Sequence, residues 1–326
     1  MSELCLGTMT FGSMADEATA LACLDKAFDS GIDFIDVAEI YPVPPDRKWV
    51  GASEEICGKW LSGRPRDAVI VATKVAGPTG GWFQGPVREG KTGLDRHNIE
   101  RAVDASLRRL QTDYIDLYQT HWPDPAVPIE ATLEALDRLV DQGKVRAVGC
   151  SNQNGYGLVK SLWMADREAV ARYETIQNNY SILSRRFDDE LARICRSEQV
   201  SLLPYSPIGG GVLSGKYQEG AWPDGARFTR YREGDRRTAT MTRRFVNERT
   251  LATAARVAEI AADCGMSPVT FSVAWTLTRD FVASSIIGVT AAEQLDEHLA
   301  AAEVTLPPEA LAAVDELSRE IRYPME

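Results

Sequence analysis

The sequence predicts an α/β protein of the (β/α)8 barrel class, a single domain over residues 1–326 with its working face at the C-terminal ends of the strands. Three observations carry this. Short β-type runs alternate with amphipathic stretches from one end of the chain to the other, in eight pairs. Helices between strands imply right-handed parallel crossovers, and eight such units can close on themselves. The third observation is negative: "GTMTFGSM" follows the first run, with no G-x-G-x-x-G such as a doubly wound nucleotide-binding sheet places there.

In chain order the strands are expected at 5–9, 33–37, 68–73, 114–120, 145–150, 173–178, 200–205 and 282–287. Helices are expected near 17–30, 53–62, 97–110, 129–142, 154–165, 188–198, 248–264 and 291–301. In the third helix Ile99, Ala102, Val103, Leu107 and Leu110 recur at helical spacing, which writes one apolar face. Gly31, Gly143 and Gly265 stand where helix exits need a left-handed residue. Two segments break the repeat. Residues 75–95, rich in Gly and Pro, follow strand three, and residues 206–247, rich in Arg, follow strand seven. Both fall on the face where barrel enzymes keep their active sites.

The net charge of −11 argues against a nucleic-acid or anionic-membrane partner, because each calls for concentrated positive charge. No apolar run reaches the roughly 18 residues that a membrane span needs. The start of the chain has neither a basic region nor a long apolar one, so no secretion signal is expected. Cys5, Cys23, Cys57, Cys150, Cys195 and Cys264 are scattered, with no C-x-x-C pair, so neither zinc nor a disulfide framework is expected. These readings point to a cytoplasmic protein with no metal site.

The stretch "PYSPIGGGVLSGKY" (204–217) approaches a P-loop, yet Tyr217 stands where Ser or Thr would hold magnesium. More chemistry sits at the strand ends. Strand two leads into Asp36 and Tyr41, strand three into Lys74, and strand four into His121. Each alone has a bland reading as a loop cap, a half-buried ring or a solvated rim residue. Together they send carboxylate, phenol, ammonium and imidazole from three adjacent strands toward one mouth.

With those residues in place, the chain resembles the aldo-keto reductases, and most of all their bacterial Tas-like branch. The likeness runs through "LGTMTFG", "IDVAEIYPVPP", "GASEEICGKWL", "LQTDYIDLYQTHWPD", "GKVRAVGCSN", "IQNNYSILSRR" and "AEQLDEH". It implies a catalytic tetrad of Asp36, Tyr41, Lys74 and His121. Tyr41 would donate the proton, its phenol shifted downward by Lys74, which Asp36 holds charged. His121 would orient the carbonyl.

The hydride donor implied is NADPH, with NADH the alternative. Thr8 and Met9 would approach the nicotinamide, Tyr205 would stack on it, and Ser151, Asn152 and Gln177 would bond its carboxamide. Ser206, Pro207, Ile208 and Gly209, with Lys216, would hold the pyrophosphate, which answers the P-loop puzzle. Gly288, Thr290 and Gln294 would take the 2′-phosphate at the start of a helix near Ala291, Glu297 and His298 the adenine side, and Arg227 would add charge. The other arginines of 206–247 are expected to be solvated.

Two features depart from the family pattern at the adenosine end. His298 stands where Asn is usual, and no Lys or Arg lies between Gly288 and His298. Only four residues precede strand one, where most relatives have a hairpin, and the short tail after Leu317 suggests an open substrate site. Trp82, Phe83 and Trp122 are the candidate walls for a small-molecule carbonyl substrate. Two other functions stay in play: a nicotinamide-binding, channel-associated regulatory barrel with little turnover, and a barrel lyase or isomerase without redox chemistry.

Overall fold

Helix entries and exits are set by local chemistry. Asp16, Asp95, Asn154 and Ser267 each sit in extended backbone and accept a hydrogen bond from the amide three residues on. That satisfies a donor of the first helical turn, which has no partner within the helix. Gly31, Gly143 and Gly265 take φ of 89°, 71° and 67° just after helices end, as expected of them. The computed structural model describes residues 1–78 and 87–325.

Eight parallel strands follow one another around the sheet: β1 (Leu4–Gly7), β2 (Phe34–Asp36), β3 (Ile70–Val75), β4 (Ile115–Thr120), β5 (Val145–Ser151), β6 (Tyr173–Gln177), β7 (Ser201–Leu202) and β8 (Ser285–Gly288). Strand β1 pairs with both β2 and β8. The ring closes where Leu202 pairs with Val282 and Tyr205 with Ile286, so the sheet has the barrel topology the sequence predicts. The helices packed outside include α1 (Glu17–Asp29), α2 (Ala52–Leu61), α3 (Arg96–Leu110), α4 (Ile129–Asp141), α5 (Gly155–Glu168) and α6 (Leu191–Glu198).

Side chains alternate along each strand, giving two apolar layers. Cys5, Phe34, Ala72, Leu117, Leu203 and Ile286 form a cluster inside the barrel. A larger one, with Val71 and Val75 of β3, packs between barrel and helices. Thr73 faces outward with them and donates to Glu54 of α2 at 2.6 Å, while Lys74 between them turns inward.

The segment 206–247 is more structured than expected. It carries α7 (Arg227–Arg232) and α8 (Arg236–Phe245), with Asp235 capping α8 through the amides of Arg237 and Thr238. Helix α8 buries Thr238, Thr242 and Phe245, so its inward stripe is mostly threonine and escapes a reading based on apolar spacing. After α9 (Glu248–Asp263) comes α10 (Pro268–Leu277), buried nearly all round and therefore without a polar face to betray it. The helix expected near Ala291 is a 3-10 turn at Ala292–Gln294 leading into the five-residue α11 (Leu295–Leu299). The last helix, α12, spans Pro308–Glu320. Among the described residues no helix is long and apolar enough to cross a membrane.

Candidate active site

The chain leaves the sheet after Asp36, and a turn with the Tyr41 amide donating to the Ala38 carbonyl at 3.0 Å brings Tyr41 back to the mouth. Lys74 lies fully buried on β3. Its Nζ donates to Asp36 Oδ2 at 2.6 Å and to the Val37 carbonyl at 2.8 Å, and lies 3.4 Å from the Tyr41 hydroxyl. An ammonium has three N–H donors, and each has a partner here. Burial opposes the charge, but the Asp36 carboxylate and the Tyr41 phenol hold Lys74 above its ordinary pKa.

Tyr41 moves the other way from the expectation. Burial pushes its phenol above the usual value, and Lys74 pulls it down without reversing the shift. The residue is therefore a neutral phenol with a proton to give. His121 follows β4, its amide donating to the Val75 carbonyl at 2.9 Å. Its ring lies 5.8 Å from that of Tyr41 at 80°. Burial, then Lys74, keeps its pKa well below the ordinary value, so the imidazole is neutral; Nδ1 is buried without a protein partner among the described residues.

Bonds then cross the barrel mouth. Gln177 Nε2 donates to Asp36 Oδ1 at 2.8 Å, which engages the second carboxylate oxygen. Ser151 Oγ donates to the Gln177 carbonyl at 2.6 Å, Asn152 Nδ2 to the His121 carbonyl at 2.9 Å, and the Tyr205 hydroxyl to Asn152 Oδ1 at 2.8 Å.

A cavity of about 960 Å³ runs from Tyr41, His121 and Trp122 past Gln177 and Tyr205 to Lys216, Gln294 and His298. Helices α7 and α8 roof it with Arg227, Met241, Arg244 and Phe245. The Tyr231 hydroxyl donates to the Val43 carbonyl at 2.8 Å, tying this roof across the mouth to the segment after β2. Burial, then Arg227, pushes the Lys216 amine below its ordinary pKa. Among the described residues neither cation has a carboxylate within ion-pair distance, and Arg227 Nε is buried without a partner. In a chain of net charge −11 such a pocket is built for an anion.

Residues 3–319 match the profile of the Aldo/keto reductase family. The chain belongs to that family. Protein tas of Escherichia coli is 39% identical over 99% of this chain and 96% of its own length. The uncharacterized oxidoreductase YrpG of Bacillus subtilis is 33% identical over 97% and 92%. A probable voltage-gated potassium channel subunit beta of Arabidopsis thaliana is 29% identical over 93% and 88%. Aldo/keto reductases are oxidoreductases, and that much holds for this chain at family level.

The geometry places most residues that the sequence singled out. Met9, Asp36, Tyr41, His121, Trp122, Ser151, Asn152, Gln177 and Tyr205 line the cavity, as do Ser206, Pro207, Ile208, Lys216, Arg227, Gly288, Thr290, Gln294, Glu297 and His298. Lys74 stands just behind, reaching Tyr41 from below.

Two are displaced. Thr8 turns outward, its hydroxyl 2.6 Å from Ser53 Oγ of α2, and β1 reaches the cavity through Gly7, Met9 and Thr10 instead. Gly209 packs toward Leu183, which a Cβ there would meet at 2.5 Å, so Gly210 and Gly211 line the cavity in its place. Arg244 was expected to be solvated but reaches the cavity wall. Gln294 folds back, its Oε1 accepting from the Thr290 amide at 2.9 Å. Trp122 Nε1 donates to the Pro78 carbonyl at 2.6 Å. Trp82 and Phe83 lie outside the described residues.

A dinucleotide suits what is present. Lys216 and Arg227 could answer phosphates, and His298, whose Nδ1 is buried without a protein partner among the described residues, lines the far end. The left-handed glycines 210 and 211 let the Phe228 ring and Lys216 close in, with a Cβ meeting them at 2.9 and 2.7 Å.

Proposed function

We propose that the protein reduces an aldehyde or ketone to an alcohol with NADPH as hydride donor. The observation that carries the reading is the Lys74 ammonium between Asp36 and a neutral Tyr41, beside a neutral His121, at one end of a cation-bearing cavity. A nicotinamide bound there would supply a hydride to the carbonyl carbon. Tyr41 gives its proton to the carbonyl oxygen as charge grows on it. Lys74 stabilises the phenolate left behind, and Asp36 keeps Lys74 charged and aimed. The neutral imidazole of His121 hydrogen-bonds the same oxygen and shares its charge.

Ser151, Asn152 and Gln177 would orient the carboxamide, and Tyr205 would stack on the ring. Ser206, Pro207, Ile208, Gly210, Gly211 and Lys216 would hold the pyrophosphate. Gly288, Thr290, Gln294, Glu297 and His298 would take the adenosine end, with Arg227 as the cation that NADPH requires; NADH is the alternative donor. Trp122, its polar atom already spent on Pro78, would offer the substrate an apolar wall. All six cysteines are free thiols, in keeping with work in the cytoplasm.

A fluorescence titration with NADPH, followed by NADPH oxidation against a panel of aldehydes, ketones and quinones, tests the reading. Saturable quenching and carbonyl-dependent oxidation are expected. Quenching without turnover would favour a regulatory barrel, and no quenching would remove every nicotinamide reading and leave a lyase or isomerase.

A further inference from the structure

Glu39 lies in "DVAEIY", three residues past Asp36 and two before Tyr41, and it does not reach the cavity. It is 3% exposed, among the apolar neighbours Ala38, Ile40, Tyr41, Val43, Ala76 and Val87. Its Oε1 accepts from the Ala76 amide at 2.6 Å. Arg88 Nη1 donates to both carboxylate oxygens, and Nη2 returns to the Ala76 carbonyl at 3.1 Å. A buried ion pair of this kind is a poor stabiliser, because removing two charges from water offsets most of their attraction. Its geometry has a use.

We propose that Glu39 is the positioning residue that sets the Tyr41 phenol against the Lys74 ammonium, through a clamp on Ala76 that Arg88 completes. Ala76 is two residues beyond Lys74, as Glu39 is two residues before Tyr41. The carboxylate-to-amide bond therefore closes a small ring, with two short covalent arms and the 3.4 Å Tyr41–Lys74 contact on its far side. Main-chain pairing between the two arms weakens toward Tyr41. Beyond Asp36 the ladder keeps two bonds, from the Val37 amide to the Ala72 carbonyl at 2.9 Å and from the Glu39 amide to the Lys74 carbonyl at 3.4 Å. The Tyr41 contact is also the longest of the three that Lys74 makes, so it depends most on how its arms are held. Arg88 brackets Ala76 from the other side, its guanidinium spanning the Glu39 carboxylate and the Ala76 carbonyl.

The inference rests on the reductase reading for its kinetic consequence, and a second readout stands apart from turnover. In full-length protein with tyrosine labelled at 13Cζ, the Tyr41 resonance is assigned by its loss in Tyr41→Phe. Glu39→Ala removes the acceptor and is expected to move or broaden that resonance. It is expected to lower kcat about 10- to 100-fold, the usual cost of a small misplacement, with the NADPH Kd changed by no more than about twofold. Glu39→Gln keeps an oxygen for the Ala76 amide and is expected to restore both the resonance and most of kcat.

If the wild-type protein turns over no carbonyl, the reductase reading falls and the resonance still judges the clamp. An unmoved Tyr41 resonance in Glu39→Ala overturns the proposal. So does an equal effect of Ala and Gln on that resonance, or a loss of kcat matched by an equal loss of NADPH affinity.

Discussion

At the β2–β4 end of the cavity the ammonium of Lys74 contacts Asp36, Val37 and Tyr41, and both oxygens of Asp36 are engaged. At the β7–β8 end burial and then Arg227 oppose the charge on Lys216. Among the described residues neither cation has a carboxylate partner, and Arg227 Nε and His298 Nδ1 are buried with no protein partner. In the first region the Asp36–Lys74–Tyr41 cluster is satisfied by the protein itself and so holds its geometry in advance of any ligand, although His121 Nδ1 beside it has no protein partner among the described residues. The second carries unmet charge and hydrogen-bonding capacity, which an anionic ligand would meet. On the proposed function chemistry and anchoring are thereby separated along one cavity, and substitutions in the two regions are expected to fail differently.

The largest effect is expected from Lys74→Met. It removes the cation beside Tyr41 and strands Asp36 as a buried, uncompensated charge, which costs about 3–5 kcal/mol of stability. Turnover is expected to fall by about a thousandfold or more. Steady-state kinetics and thermal denaturation read the two effects, and a stable, active variant would break the contrast at its catalytic end.

Arg227→Met works on the other end. Losing a charge-assisted hydrogen bond, worth about 1.5–3 kcal/mol, is expected to weaken NADPH binding about 10- to 100-fold while kcat at saturating cofactor is kept. Calorimetric titration beside steady-state kinetics checks it; a fall in kcat with unchanged affinity would mean that the regions are not separable.

His298 sharpens the comparison through pH. Burial, then Lys216, lowers its pKa to about 4. An unfolded chain takes up that proton near pH 6.5 whereas the native protein resists until about 4, so stability drains as pH falls between those values. At pH 5 the drain is about 2 kcal/mol. His298→Asn is expected to remove that part of the acid sensitivity, read from urea denaturation at pH 7.5 and pH 5. An unchanged pH dependence would mean that the imidazole is solvated.

The smallest effect concerns the roof. Tyr231→Phe deletes one hydrogen bond to Val43, about 1 kcal/mol, and is expected to speed NADPH release about fivefold in stopped-flow fluorescence. No change in release would mean that α7 does not close the cavity.

How much of this was legible in the sequence follows the same divide. The gathering of Asp36, Tyr41, Lys74 and His121 could be read because strand ends are punctuated by polar residues after apolar runs, and the barrel because strands and helices alternate so regularly. The roof could not, since α8 buries threonines where an apolar period would be sought. Nor could the sign of the Tyr41 shift: spacing shows that Lys74 is near, but not that burial outweighs it. Thr8 was misplaced because a one-residue error along a strand turns a side chain to the opposite face. Glu39 gave only one signal, an acid within an apolar stretch beside Asp36.

The separation of chemistry from anchoring is tested most directly by Tyr41→Phe, with NADPH affinity and carbonyl-dependent NADPH oxidation measured on the same preparation. The expected result is a Kd within about twofold of wild type and a rate lowered by about a thousandfold or more. Preserved turnover, or affinity lost in step with rate, would contradict it.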